Sequence, residues 1–115
     1  MQEKPLDWRG SSFRDIKDDN IFSTDARREA GYQLSLVQAG LDPDDWKPFD
    51  VVGVGTKEIR INLQDGWFRV LYVAKFPEAV YVLHCFKKKT RTTSQQDKDI
   101  ATARYKAVLS ERKQS

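Results

Sequence analysis

Cysteine, histidine and methionine are nearly missing from this chain, with one of each in 115 residues. The lone Cys85 cannot form an internal disulfide, and with His84 as the only imidazole it cannot complete a structural zinc site. Glycine and proline are scarce as well, 6 and 4 residues, which argues against a fibrous or disordered chain. No stretch approaches the roughly 18 consecutive apolar residues of a membrane span. Met1–Gly10 also lacks the charged-then-apolar order of a signal peptide, so a soluble, cytoplasmic protein is expected. No HExxH, GxSxG, glycine-rich phosphate loop or histidine pair occurs. Metal, P-loop and serine-hydrolase chemistry therefore lack their residues, and neither a metal nor a small-molecule cofactor is expected.

What is present is enough for one domain over residues 1–115: 39% hydrophobic residues, 32% charged, and 13 large aromatic side chains for a modest core. The formal net charge of +3 hides a sorting along the chain. Residues 1–56 sum to −4, residues 57–83 to +1 and residues 84–115 to +6. A strongly basic last third on an acidic scaffold is the asymmetry expected where one face meets a polyanion.

Periodicity divides the chain in two. Ser12–Asn20 reads as a short helix with Phe13 and Ile16 on one face, and Ser23 or Thr24 caps a second helix running to Gly40. Its apolar positions Ala26, Ala30, Leu34 and Val37 recur every three or four residues. A proline-bracketed loop, Leu41–Pro48, follows. From Phe49 the period becomes two. Val51–Val54 is a short strand candidate, and Glu58–Leu63 places Ile59, Ile61 and Leu63 opposite Arg60 and Asn62. A hairpin turn at Gln64-Asp65-Gly66 leads into the strands Trp67–Lys75 and Ala79–Phe86, apolar on both faces and therefore covered on both. A polar basic stretch, Lys87–Gln96, precedes a last helix from about Asp97 to Lys113. The expected architecture is α+β: two N-terminal helices on a twisted antiparallel sheet of three to four strands, plus a C-terminal helix.

Arg60 and Arg69 flank the hairpin turn, and two guanidinium groups beside a lysine cluster make a phosphate clamp. Singly, each is equally well an arginine lying over an apolar edge or pairing with Glu58. His84 is expected on the same face as Val82 and Phe86, either as a hydrogen-bonded structural group or as a base kept neutral by the adjoining lysines. Lys87-Lys88-Lys89-Thr90-Arg91 is the densest basic run, a solvated loop or a contact to a nucleic-acid backbone. A lysine of lowered pKa could also exchange protons. The aromatics Phe86, Tyr105, Trp67 and Phe68 could stack a base or belong to the core.

Several strings together are more specific than any one: Lys57-Glu58-Ile59-Arg60-Ile61, Phe68–Phe76, and Ala79–Thr90 with its Leu83-His84-Cys85-Phe86-Lys87-Lys88-Lys89-Thr90 end. With Asp45–Pro48, Val52–Gly55, Asp99–Ala101 and Arg104-Tyr105, they make residues 20–109 resemble the phage-derived HigB-type toxins of the RelE/ParE superfamily. The resemblance implies a RelE-like toxin that cleaves messenger RNA on the ribosome without metal, and a helix-turn-helix antitoxin of the HigA kind as partner. It implies catalytic roles for Arg60, Arg69, His84 and Lys87, and RNA binding by Lys57, Lys88, Lys89 and Arg91. The tyrosine that assists cleavage in RelE has no counterpart after Lys89, where threonines stand at 90, 92 and 93, so the general base stays open. Three other functions fit the same residues: a non-catalytic RNA-binding module, a gyrase inhibitor of the ParE kind, and a protein whose basic surface only binds an acidic antitoxin.

Overall fold

The change of period at Phe49 marks the passage from a helical layer to a sheet. In the computed structural model, which describes residues 3–114, the order is β1 (Leu6–Trp8), α1 (Ser12–Lys17), α2 (Thr24–Gln38), β2 (Trp46–Pro48), β3 (Thr56–Leu63), β4 (Gly66–Val73), β5 (Val80–Lys88) and α3 (Gln95–Gln114). Met1 and Gln2, part of the stretch read for a signal pattern, and Ser115 lie outside the described residues. No helix among the described residues is long and apolar enough to cross a membrane. The fold is α+β, as expected.

The strands lie in the order β1-β5-β4-β3-β2. Strands β3, β4 and β5 form the expected antiparallel meander. Each edge adds a three-residue strand. β1 runs parallel to β5, pairing Leu6 with Val80, and β2 runs antiparallel to β3, pairing Lys47 with Glu58. The sheet thus has five strands instead of three to four, and one pairing is parallel. Both edge strands are too short to show alternation, and Pro48 sits in one, where the missing N–H costs no ladder bond.

Helices pack on both faces. Ala26, Ala30, Leu34 and Val37 of α2, with Ile16 of α1, pack on Ile59, Ile61, Phe68, Val70 and Tyr72. Ser23 caps α2 by accepting from the Ala26 N–H at 3.2 Å. Ala101, Tyr105 and Val108 of α3 pack on Leu71, Val73, Tyr81, Leu83 and Phe86 across the sheet. Large side chains such as Tyr72, Phe22, Phe68 and Leu34 are fully buried, each worth roughly 1.5–3 kcal/mol of transfer free energy.

Three local expectations are corrected. Val51–Val54 is not a strand: Val51 and Val54 are 69% and 70% exposed, and the segment turns so that Gly53 lies against the Tyr105 ring while the Tyr105 hydroxyl donates to the Val54 carbonyl at 2.6 Å. Phe13 does not share the buried face of Ile16; it stays half-exposed, edge-on to Trp8 at 5.1 Å. His84 does not share a face with Val82. The β4–β5 register steps from Leu71↔His84 to Tyr72↔Val82, a bulge that leaves Leu83 unpaired and turns both Leu83 and His84 toward α3. The ring of His84 then stacks on Phe86 at 4.8 Å, while Val82 stays on the α2 side.

Candidate nucleic-acid interface

Helix α3 covers only part of its face of the sheet. Toward the β3–β4 turn the same face is open, and alternation fills it with polar side chains and one indole: Glu58, Arg60 and Asn62 from β3, Trp67 and Arg69 from β4, and Lys88 from β5. Lys47 of β2 and Arg91 of the β5–α3 loop complete a pocket of about 240 Å³. Five cationic side chains and one carboxylate line it.

Arg60 and Arg69 are direct register partners. Like charges directly opposite one another destabilise a sheet, and here each has a carboxylate at the limit of ion-pair range. Arg60 Nε is 3.9 Å from Asp45 Oδ1, and Arg69 Nε is 4.0 Å from Glu58 Oε1. Arg69 is 3% exposed; its Nη1 donates to Asn62 Oδ1 at 2.8 Å and to the Phe68 carbonyl at 2.9 Å. Its Nε, like Glu58 Oε1, is buried with no hydrogen-bond partner among the described residues. Glu58 is itself fully buried, with Lys47 Nζ at 3.7 Å and the Thr93 hydroxyl donating to it at 3.5 Å. The pocket floor therefore carries donors and charge not yet fully used, which suits an anion better than an apolar ligand.

Burial lowers the Arg69 pKa, with Arg60 acting in the same direction against the attraction of Glu58; an arginine stays charged regardless. Burial also lowers that of Lys88, and the neighbouring charge of Arg69 lowers it further. Lys88 is thereby disposed to give up a proton more readily than a solvent-exposed lysine. Its Nζ donates to the Arg91 carbonyl at 2.6 Å, holding the loop over the sheet.

Of the residues singled out from the sequence, Arg60, Arg69, Lys88 and Arg91 converge on the pocket. The other four lie elsewhere. Lys87 lies across Gly66 with its ammonium 5.6 Å from the Phe68 ring, and with Lys89 it lines a neighbouring depression of about 350 Å³ that shares Lys88. Lys57 points from the other face of β3, bonded to Asp42 at 3.1 Å and 4.4 Å from the Trp46 ring. His84 is buried under the start of α3, its Nε2 2.7 Å from Asp97 Oδ1. Burial lowers its pKa against the opposing pull of Asp97.

Sequence reasoning missed Lys47, Asn62 and the central position of Glu58. The period-two pattern of β3 already places Glu58 and Asn62 beside Arg60, so they were legible. Lys47 was not, because it enters only through β2.

The model of the family described as Phage derived protein Gp49-like (DUF891) matches residues 19–106. The chain belongs to this family. The matched span includes every residue that lines the pocket, and it leaves out β1, α1 and the last turns of α3. Gp49-like proteins are associated with the toxins of toxin–antitoxin systems. Among curated proteins, none matches the chain.

Proposed function

We propose that this Gp49-like protein is a HigB-type toxin, a ribosome-dependent mRNA endoribonuclease held in check by a HigA-like helix-turn-helix antitoxin in the cytoplasm. One observation carries the reading: two opposed arginines and a lysine of lowered proton affinity share one polar pocket on an open sheet face. That set matches what cleavage of an RNA phosphodiester by its own ribose requires. The 2′-oxygen bonds to phosphorus, the bond from phosphorus to the 5′-oxygen breaks, and the products are a 2′,3′-cyclic phosphate and a 5′-hydroxyl. Arg60 and Arg69 stabilise the charge that grows on the phosphoryl oxygens. Lys88, when neutral, takes the 2′ proton, and the departing 5′-oxygen takes one from water. Lys47 and Arg91 neutralise flanking phosphates, and Lys89 extends the basic surface beyond the pocket.

Brief expression followed by mapping of mRNA 5′ ends tests this reading. New ends within translated frames, absent with Arg60→Ala, are expected. Intact mRNA with arrested replication would instead indicate a ParE-like action on gyrase, and bound but uncut RNA a non-catalytic module.

A further inference from the structure

Four aromatic residues are candidates to stack a base, and the fold separates them. Phe68, Phe86 and Tyr105 are 1%, 6% and 5% exposed and belong to the two cores. Trp67 alone stays open, 44% exposed, on the wall of the arginine pocket. In register it stands between Asn62 on one side and Lys88 on the other, two residues from Arg69 on the same strand face. Among the described residues no ring and no cation packs on its indole. A large, flat, unpartnered ring beside a cluster of phosphate-binding cations is the combination by which proteins hold unpaired nucleic acid. The cations take the backbone, and the ring takes a base face.

We infer that Trp67 is the stacking platform for a nucleobase adjoining the phosphate held by Arg60 and Arg69, so that the pocket selects an unpaired RNA strand over a duplex or a bare polyanion. This rests on the RNA reading proposed above. In a duplex each base face is already covered by its neighbours, so only a splayed strand can offer a base to the indole. Asn62 Oδ1 accepts from Arg69, and its amide N–H groups are donors of the kind that the edge of a base stacked there needs.

Trp8→Phe and Trp46→Phe together leave Trp67 as the only indole, so its emission reports the site directly. Short single-stranded RNA is expected to quench it. An abasic strand of the same length and charge should bind about ten-fold more weakly and without quenching. In the otherwise natural chain, Trp67→Ala should bring RNA affinity down to the abasic level, and Trp67→Phe should restore most of it. Equal affinity for the two strands, RNA binding that leaves Trp67 emission unchanged, or no binding of RNA overturns the inference. Ribosomal cleavage by the single-indole protein separates the two claims. Cleavage without base-dependent binding removes the stacking role alone, and base-dependent binding by a chain that never cleaves removes the nuclease reading alone.

Discussion

Arg60 and Arg69 face each other across β3 and β4 in unequal surroundings: the Arg60 side chain is 38% exposed, the Arg69 side chain only 4%. The same substitution should therefore have separable effects. Arg60→Ala is expected to change stability by no more than about 0.5 kcal/mol. Arg69→Ala leaves Glu58 buried with one charged partner fewer and should cost about 3 kcal/mol. Adding Glu58→Gln to Arg69→Ala should recover part of that loss, and urea denaturation of the four proteins measures it. Both arginine variants should lose cleavage, and because Arg60→Ala stays folded, it is the cleaner test of phosphate stabilisation.

The buried His84 ring links stability to pH. Its folded pKa lies below the ordinary histidine value of about 6.5, chiefly through burial. As pH falls below about 6.5, the unfolded chain takes up the proton first. Stability should therefore be full above that value and decline on acidification until the folded pKa is reached. Denaturant midpoints at a series of pH values should show this decline, and His84→Gln should flatten it in that window.

Gly53 and Tyr105, from two separate strings of the sequence, meet in the fold. A Cβ added at Gly53 would lie 2.5 Å from atoms of the Tyr105 ring, which is itself buried and anchored to the Val54 carbonyl. Gly53→Ala should destabilise the protein by about 1–3 kcal/mol, the usual cost of overpacking. Relieving the clash with Tyr105→Leu in the same chain should recover part of that in thermal melts.

The two long helices, the three-strand meander and the helices on both sheet faces are legible, because a helical period carries the first and runs of eight or nine residues, alternating or apolar on both faces, carry the strands. The edge strands Leu6–Trp8 and Trp46–Pro48 were not, since three residues show no period and their pairing is decided by distant partners. In the site, Arg60 and Arg69 followed from alternation on either side of a recognisable turn. His84 was misplaced because a bulge resets alternation and leaves no mark in composition. The lysine run looked uniform in sequence. In the fold β5 continues to Lys88, so its neighbours alternate: Lys88 enters the pocket, while Lys87 lies across Gly66 and Phe68.

Lys88 should give the cleavage rate its pH dependence. A lysine that takes the 2′ proton must be neutral, so the rate should rise with pH and level off below the ordinary lysine value of about 10.4. Lys88→Arg keeps the charge but removes the titration. Single-turnover rates from pH 6 to 9 should then be low and lack that rise, whereas an unchanged profile would assign Lys88 to phosphate binding only.

The proposed RNA cleavage is assigned to a single pocket. Its most direct test is to add the purified chain to ribosomes programmed with a defined mRNA and to resolve the products at nucleotide resolution. A single new 5′-hydroxyl end opposite a 2′,3′-cyclic phosphate, lost with Arg60→Ala while that variant stays folded, is the expected result. Intact mRNA with the natural chain, or equal cleavage by Arg60→Ala, contradicts it.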